Sequence, residues 1–531
     1  MAQNTKLFKA PDEPALEMDD IQGAVVPGFL KPHHTLLGLR IPDGIEVVRN
    51  FKAWLIALTP DVSTARQTLD DRRAYRKGKP CLPYMVGIGF SAVGLVRLTP
   101  GASMIPDDAF QAGLVVRSKL LGDPVGSAKE GDPVNWIVGG PGAELDALVL
   151  VAGTGRGDVT KRADHLESQI TAAGVSVVYR EDGDVRPGKE KGHEHFGFDD
   201  GVSQPGIRGR ASNSPTDFIT ERKIDPSEVP EAWLFGYPGQ DLVWPGEFVI
   251  GYAKTSPDPF LPGPSDPPRP EWTRNGSFLV FRRLRQDVGL FWRTMRSLAE
   301  SLRALPGFGK MSDQHLASLL VGRWPSGAPV NRTPAQDIPD LGRDVFANNH
   351  FQFDSDTSSL KLVGGRDDPF PQAKADPAGT TCPWAAHIRK VNTRDSASDM
   401  GGRDSTYNRR LLRVGVPFGK QLDNPYSTMA EDPEKGNRGL LFLSIQASIE
   451  NQFEFLMANW INDPTRPKTP GGNDMLIGQN AAAADGVRRC SLFGAGLQQA
   501  ELSAEDQWVI ATGGGYFFMP SISALRDIIT R

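Results

Sequence analysis

Short apolar runs alternate with helical patterns through the first 200 residues of the chain. Residues 34–41 and the continuous apolar run 147–152 predict two strands, and the second has the pattern of a buried strand. Apolar residues at helical spacing within 47–58 predict an amphipathic helix. The same criteria predict a strand and then a helix capped by Ser91 within 84–98, a helix over 162–173 and a strand over 175–179.

A similar order of elements returns after a polar and proline-rich stretch. Residues 209–245 are polar with little periodicity. Residues 254–273 carry seven prolines, so we expect no regular structure in this second stretch. The later pattern predicts strands at 246–252, 277–284, 409–419 and 439–445, and helices at 286–302, 447–460 and 522–531.

Strands and helices that mix at short spacing predict an α+β fold. We expect two similar lobes, residues 1–208 and 209–531, with the proline-rich insertion around 254–273 in the second. No short sequence repeat is visible, so the likeness of the lobes rests on the order of their elements.

Composition is typical of a soluble globular protein with a sizeable core. The 531 residues are 39% hydrophobic and 23% charged, with a net charge of -5. A mildly acidic chain has no general attraction for nucleic acid or anionic lipid. The longest apolar stretches are shorter than the roughly 20 residues that span a bilayer, so we expect no membrane association.

The N-terminus and the cysteines predict a cytoplasmic protein. Residues 1–9 lack the continuous apolar run of a signal peptide, although release by a non-classical route stays open. Cys81, Cys382 and Cys490 are odd in number and widely spaced, which predicts reduced thiols and neither a disulfide framework nor a zinc motif.

His387 lies in a segment typical of a haem ligand. Small residues precede it, and a basic cluster of Arg389, Lys390 and Arg394 follows it. Haem iron needs an imidazole, and the two propionates of a porphyrin can pair with cations.

Two acidic residues lie between glycines in a second segment, Gly197 to Gly201. Glycine permits a sharp turn and the close approach of a flat ligand, and Asp199 or Asp200 could shuttle a proton there. An acidic surface turn is the alternative, and for this segment alone the more common one.

Arg413 interrupts the apolar strand predicted at 409–419. An inward-pointing arginine costs free energy unless it meets an anion or a polar ligand. An outward-pointing arginine on an edge strand is the alternative.

These three segments, in this order, resemble those of the dye-decolourising peroxidases. The resemblance covers nearly the whole chain, from segments 20–23 and 26–29 through 276–288 and 321–327 to 513–520. It implies two ferredoxin-like lobes with antiparallel sheets and helices, in a dimeric α/β-barrel-like superfold. It also implies one b-type haem (haem b) per chain, held mostly by the C-terminal lobe.

The resemblance further implies a haem peroxidase. Its partners would be hydrogen peroxide and small-molecule or dye-like reductants, including phenolics. Peroxide cleavage would give a high-valent ferryl haem, which takes electrons from the reductant one at a time. Neither the physiological reductant nor the oligomeric state follows from the sequence.

The family's motifs assign roles to three residues. His387 would be the axial ligand of the iron. Asp200 would relay the proton of hydrogen peroxide, because the family's motif places the carboxylate directly before the second glycine and lets the position of Asp199 vary. Arg413 would stabilise the charge that develops as the O–O bond breaks.

Supporting residues are less specified. A carboxylate should accept a hydrogen bond from His387, with Asp474 as the candidate and Glu454 as the alternative. Leu440 and Phe442 share one strand face and could narrow the distal pocket, or simply pack in the core. Arg389 and Arg394 are candidates for the propionates. The chain has Thr393 where the family often has proline, and Val414 and Gly415 where it often has a polar or basic residue.

Two other functions compete with the peroxidase. A haem-binding or haem-delivery protein would use the same His387, but carriage of haem does not need the pair Asp200 and Arg413. A metal hydrolase could use His193 and His195 with Asp199 or Asp200, although no third-ligand pattern follows these histidines.

Overall fold

The computed structural model describes residues 12–530, except 101–103, 226–231, 266, 269, 423, 428–436 and 470. The prediction that the chain lacks a signal peptide concerns residues 1–9. This segment lies outside the described residues. Within the described part of the chain, no helix combines the length and the apolar character that a bilayer crossing needs.

Eight strands of the described residues close one barrel, and six shorter strands form two-stranded ladders outside it. In chain order the strands are β1 (His33–Arg40), β2 (Tyr84–Phe90), β3 (Ala147–Gly153), β4 (Ser176–Asp184), β5 (Gly206–Ile207), β6 (Leu242–Val243), β7 (Ala253–Thr255), β8 (Pro262–Ser265), β9 (Ser277–Gln286), β10 (Leu412–Phe418), β11 (Gly439–Gln446), β12 (Arg488–Phe493), β13 (Gln499–Ala504) and β14 (Val509–Met519).

Helices cover the barrel and fill the connections between its strands. The α-helices are α1 (Ile45–Leu58), α2 (Ala65–Arg76), α3 (Ala92–Leu98), α4 (Asp108–Ala112), α5 (Leu114–Arg117), α6 (Arg156–Ala172), α7 (Val288–Arg303), α8 (Asp313–Val321), α9 (Pro339–Arg343), α10 (His387–Val391) and α11 (Ile522–Ala524). Ile449–Glu454, Leu456–Ile461 and Leu525–Ile529 form π-helical turns.

The two halves of the barrel have the same topology. Around the barrel the order is β1-β3-β2-β14-β9-β11-β10-β4, and neighbouring strands are antiparallel. Numbered within its own half, each set of four strands runs 4-1-3-2, the ferredoxin-like order. The halves join where Phe518 pairs with Phe90 and where Phe418 pairs with Gly183. The predicted α+β fold of two similar lobes is confirmed, and the boundary predicted after residue 208 lies in the connection between β4 and β9.

Side-chain alternation divides the core into an inner and an outer part. On β3, Leu148 and Leu150 pack with inward residues from both halves, including Leu279 and Leu441. Val149 points the other way and packs beneath α1 and α6. Because both faces are covered, β3 is apolar throughout, as the uninterrupted run in the sequence indicates.

Two predictions in the proline-rich region are wrong. Residues 246–252 do not form a strand, because a turn that begins at Pro245 accepts hydrogen bonds from the backbone N–H groups of Phe248 and Val249 and buries both side chains. Residues 254–273 are not wholly irregular, since β8 lies within them and pairs with β7. Prolines are tolerated in β8 because a two-stranded ladder leaves one edge of each strand free.

A buried ion pair crosses the barrel interior and connects its halves. On β9, Arg283 donates from Nε to Glu181 Oε2 at 2.6 Å and from Nη2 to Oε1 at 2.9 Å, and Glu181 belongs to β4. The Arg283 guanidinium also lies 4.0 Å from the centre of the Phe418 ring. Removal of either partner would leave a buried charge without its counter-ion.

Replacing Glu181 by alanine is therefore expected to lower the free energy of unfolding by about 3–5 kcal/mol, the usual cost of breaking a buried ion pair. Urea unfolding measures this change. Glu167→Ala is the control, because Glu167 pairs with Arg180 at 2.7 Å on the exterior, where loss of a pair costs less than about 1 kcal/mol. An equal decrease in the free energy of unfolding in the two variants would contradict the role of the Glu181–Arg283 ion pair in holding the two halves together.

Candidate active site

A cavity of about 270 Å³ lies between the outer face of the second half of the barrel and a group of helical segments. Arg413 and Gly415 of β10, and Leu440 and Phe442 of β11, line it from the sheet. From the helical side it is lined mainly by apolar residues around His387, which are Ile388, Val391, Leu456, Met457, Ile461, Leu476 and Ile477. The space between these walls suits a flat, largely apolar ligand.

His387 begins helix α10, and a buried carboxylate orients its ring. Nδ1 lies 2.7 Å from Asp474 Oδ2. The other oxygen, Oδ1, accepts hydrogen bonds from the backbone N–H groups of Leu476 at 2.9 Å and Ile477 at 3.0 Å. Asp474 has no exposed surface. The carboxylate is thus fixed in place by its own loop and can hold the imidazole in one orientation.

This contact sets the tautomer of His387. A carboxylate that already accepts two backbone hydrogen bonds acts as an acceptor toward Nδ1, so Nδ1 carries the proton. Nε2 then keeps its lone pair, and it has no hydrogen-bond partner among the described residues. The side chain is 25% exposed and lines the cavity, so this nitrogen can bind a metal there.

Glu454, the alternative carboxylate, is engaged elsewhere. Both of its oxygens accept hydrogen bonds from Arg117 Nε, at 3.0 and 3.1 Å, and Oε1 also accepts one from the Tyr516 hydroxyl at 2.9 Å. The side chain is buried, so it is not the solvated charge that the sequence allowed for. Of the two candidates, the structure brings Asp474 to His387.

Asp200 and Arg413 meet on the opposite side of the cavity. Asp200 Oδ1 lies 3.8 Å from Arg413 Nη1, and the two side chains are 29% and 27% exposed. Arg413 Nη2 donates to Ser203 O at 3.1 Å. The Gln204 side chain donates to Arg413 O at 2.8 Å and accepts from Arg413 N at 3.3 Å. A carboxylate and a permanent cation are therefore held together with access to the cavity.

Gly415 makes room for the Asp200 carboxylate. A Cβ at this position would lie 2.2 Å from Asp200 Oδ2, and 3.0 Å from the nearest atom of Leu440. The sequence showed Gly415 only as a departure from the family's usual residue. The structure explains why a glycine stands here, because any side chain at this position would displace the Asp200 carboxylate.

Two further carboxyl groups lie beside Asp200. Burial raises the pKa of Asp199 to about 6, an effect that nearby His193 opposes and Asp200 reinforces. Burial also raises the pKa of Glu194 to about 7, against the hydrogen bonds that it accepts from the backbone N–H groups of Phe196 and Phe198. Both residues line the cavity. Sequence reasoning did not anticipate Glu194 here, since nothing in its local pattern signals burial.

Arginines lie at the edge of the cavity. Arg394 lines it and is buried, and it donates to Asn349 O at 3.1 Å and Phe351 O at 2.9 Å without an ion pair to any described carboxylate. Burial lowers its pKa to about 9. Arg409 and Arg410 line the cavity as well, which the sequence did not predict although they precede Arg413 closely.

The structure does not bring Arg389, which the sequence predicted as a cofactor ligand, to the cavity. Its guanidinium is fully buried outside the cavity lining, where it donates to Asp376 Oδ2 at 3.2 Å and to Cys382 O at 2.8 Å. On a helix, residues two positions apart point in nearly opposite directions, so Arg389 turns away from the side of α10 that carries His387.

The described residues offer no other metal site. No group of three or more histidine, cysteine, aspartate or glutamate side chains within the described ranges is arranged to hold a metal ion. His195 Nε2 lies 2.9 Å from Phe418 O and is buried against it. The set of His193 and His195 considered for a hydrolase therefore does not assemble.

The residues around the cavity fit an iron porphyrin. An imidazole nitrogen with a free lone pair projects from one wall, apolar side chains form both faces, and Arg394 supplies a cation that no described carboxylate neutralises. Axial histidine, apolar walls and a cation for a propionate are what a haem requires of a protein. His387 and Arg394 are the residues that would hold it.

Comparisons with known proteins point to one family. Residues 20–187 match the family model described as the DyP dimeric alpha+beta barrel domain. A dye-decolorizing peroxidase of Mycena epipterygia is 30% identical over 97% of this chain and 87% of its own length. The multifunctional dye peroxidase DyP2 of Amycolatopsis sp. (strain ATCC 39116 / 75iv2) is 30% identical over 98% of this chain and 97% of its own.

Solved structures show the same likeness over the whole fold. An ancestral D-type dye decolorizing peroxidase has a TM-score of 0.75 and 33% identity, and the match covers 97% of this chain and 99% of that one. A dye-decolorizing peroxidase in complex with 2,6-dimethoxyphenol has a TM-score of 0.71 and 26% identity, covering 97% of this chain and 100% of that one.

The raised pKa of Asp199 predicts a pH-dependent contribution to stability. Because its pKa is about 6 in the folded chain, against 3.8 for an ordinary aspartate side chain, the native state binds more protons than the unfolded chain between these values. Stability is then lost as the pH rises through this window. Asp199→Asn carries no titrating group, so its stability relative to wild type should rise by about 1–2 kcal/mol from pH 4 to pH 7. Denaturant unfolding at both pH values measures this difference, and a constant difference would contradict the raised pKa.

Proposed function

The chain belongs to the dye-decolourising peroxidases, and on this premise we propose that His387 holds its haem while Asp200 and Arg413 cleave hydrogen peroxide. The protein is a peroxidase enzyme that acts on dyes. One observation carries the assignment of residues. A single cavity is lined by an imidazole with a free Nε2 on one side and by a carboxylate–guanidinium pair on the other.

His387 and Asp474 act together on the proximal side. Asp474 accepts the hydrogen bond from Nδ1 and so increases the electron density on Nε2, which strengthens it as a ligand and favours oxidised iron. A bound haem supplies the redox chemistry, since it accepts the oxidising equivalents of peroxide and draws electrons singly from a reductant. Arg394 would pair with one propionate.

Asp200 moves the proton. Its carboxylate takes a proton from one oxygen of hydrogen peroxide and delivers it to the other, which leaves as water. The space above Gly415 lets Oδ2 reach the cavity, and the backbone N–H of Asp200 donates to Gly192 O at 2.9 Å, which fixes the position of the residue. A short side chain on an anchored backbone, with open space before it, suits this proton transfer.

Arg413 stabilises the charge that develops as the O–O bond breaks. A guanidinium is always protonated at neutral pH, so it needs no proton transfer to act. The hydrogen bonds from Gln204 and to Ser203 O hold it in position before peroxide enters. Such preorganised charge is most effective in a cavity with apolar walls.

The reductants that we propose are phenols and dye-like aromatic compounds. A related peroxidase forms a complex with 2,6-dimethoxyphenol. The apolar side chains that line the cavity of this chain are compatible with such molecules.

Replacement of the distal residues tests the mechanism. Asp200→Asn and Arg413→Leu should each retain haem but react with hydrogen peroxide about 10²- to 10³-fold more slowly, because proton transfer or charge stabilisation is lost. Stopped-flow spectroscopy of the Soret band at a fixed peroxide excess gives these rates. Asp199→Asn is the matched control and should react at close to the wild-type rate. Wild-type rates in both Asp200→Asn and Arg413→Leu would refute the assigned roles.

The proximal carboxylate can be tested separately. Asp474→Asn removes the negative charge behind His387, so the reduction potential of the iron should rise by about 60–120 mV. For one electron this is a change of about 10- to 100-fold in the equilibrium constant between ferric and ferrous iron. Spectroelectrochemical titration measures it. Glu454→Gln is the control and should leave the potential unchanged, and an equal shift in both variants would contradict the assignment of Asp474.

A further inference from the structure

A second cavity, of about 130 Å³, leads from the surface into the barrel interior. Leu30 and Arg76 are exposed and line it, so it opens to solvent. Inside, its walls are apolar side chains from both halves of the barrel, which are Leu150, Leu279, Leu412, Val414, Leu443 and Ile445.

Arg72 of helix α2 lines this cavity and forms no direct ion pair within the described ranges, and Glu221, which also lines the cavity, acts on it only at longer range. Its side chain makes no hydrogen bond or ion pair with any described residue, and burial lowers its pKa to about 10, so it stays charged at neutral pH. The two neighbouring arginines of the same helix are, in contrast, each paired with a carboxylate. Arg73 donates to Asp217 Oδ1 at 2.8 Å, and Arg76 donates to Glu221 Oε1 at 2.7 Å. Those pairs neutralise the adjacent charges and leave Arg72 as a cation that faces the cavity.

Three buried arginines among the described residues have direct partners. Arg282 pairs with Asp123 at 2.7 Å, and Arg208 pairs with Glu13 at 3.1 Å. Arg323 donates to the carbonyl of Gly327 at 2.7 Å and to that of Asn348 at 2.8 Å. Arg72 is only partly buried and its donors are unpaired among the described residues, so they remain open to an anion that enters the cavity.

The remaining lining narrows the chemistry of that anion. An inorganic ion would leave the apolar walls without contacts, whereas a ring that carries one carboxylate would use both the walls and the cation. Carboxylates accept two parallel hydrogen bonds from a guanidinium. The volume suits a single ring with a short acidic group, and Tyr237 and Gln240 add polar groups to the lining.

The cavity also adjoins the catalytic one. Gln204, Pro205 and Arg413 line both cavities. A molecule bound beside Arg72 would thus lie near residues that also border the peroxide site.

We propose that this cavity binds an aromatic carboxylate through Arg72, and that a phenolic acid bound there is a reducing substrate. The second part rests on the proposed function. Each phenolic acid gives up one electron and its phenolic proton, and two such molecules balance the two electrons and two protons that reduce one hydrogen peroxide to two waters.

Binding is tested without turnover. Isothermal titration of the haem-loaded protein with benzoate should give saturable binding, and Arg72→Gln should raise the Kd at least about 10-fold, whereas Arg66→Gln, on the same helix but outside the cavity lining, should leave it within about 2-fold. The Soret band should not shift, because the benzoate does not reach the iron. Benzamide, the neutral analogue, should bind at least about 10-fold more weakly to the wild type.

Several outcomes would overturn the proposed site. These are no saturable binding of benzoate, equal affinity for benzamide, an unchanged Kd in Arg72→Gln, or a Soret shift that places benzoate on the iron. If Arg72→Gln fails to fold, Arg72→Lys keeps the charge and should bind benzoate but not benzamide, and the wild-type comparison of the two compounds decides on its own.

The substrate assignment has its own test. With 4-hydroxybenzoate as reductant, Arg72→Gln should raise KM at least about 10-fold with little change in kcat, and with the neutral methyl ester of this acid KM should not change. An unchanged KM for the acid would overturn the assignment. If the wild type oxidises no phenol with peroxide, the proposed function fails, whereas the benzoate titration still decides whether the site exists.

Discussion

The hydrogen bond between His387 Nδ1 and Asp474 Oδ2, 2.7 Å long, determines what the central cavity can hold. Without a fixed acceptor, the imidazole could rotate or adopt the other tautomer, and Nε2 would not be committed to the cavity. Asp474 is itself fixed, because the N–H groups of Leu476 and Ile477 occupy its other oxygen. One loop far along the chain therefore sets both the orientation and the chemical character of the proximal nitrogen.

The barrel supplies the opposite wall. In β10 and β11, alternate side chains face the barrel interior or the cavity, so the same two strands stabilise the core and carry the distal residues. Leu441 and Leu443 belong to the interior, whereas Leu440 and Phe442 line the cavity. Arg413 is tolerated on β10 because its strand face opens to this cavity and Asp200 lies 3.8 Å away. Arg413 on the sheet and Asp200 on a loop thus meet on the side that faces away from the barrel interior, which separates the demands of folding from those of catalysis.

Local patterns were sufficient for most of the barrel, whereas the central residues were singled out by the resemblance of their segments to a family's motifs. Continuous apolar runs and helical spacing predict β1, β3, α1 and α7 because burial on known faces leaves a direct trace in the sequence. They fail at residues 246–252, where tertiary packing buries Phe248 and Val249 through a turn. Proximity in sequence also misleads at Arg389, since a helix turns it away from His387. The choice between Asp474 and Glu454 depends on contacts between distant segments, which no local pattern contains.

The most direct test of this mechanism is a crystal structure of the haem-loaded protein, with the iron located by its anomalous scattering. We expect iron bonded to Nε2 of His387, with Asp474 on Nδ1 and with Asp200 and Arg413 on the opposite face of the porphyrin. Iron bound to another residue, or Asp200 and Arg413 on the same face as His387, would contradict the mechanism.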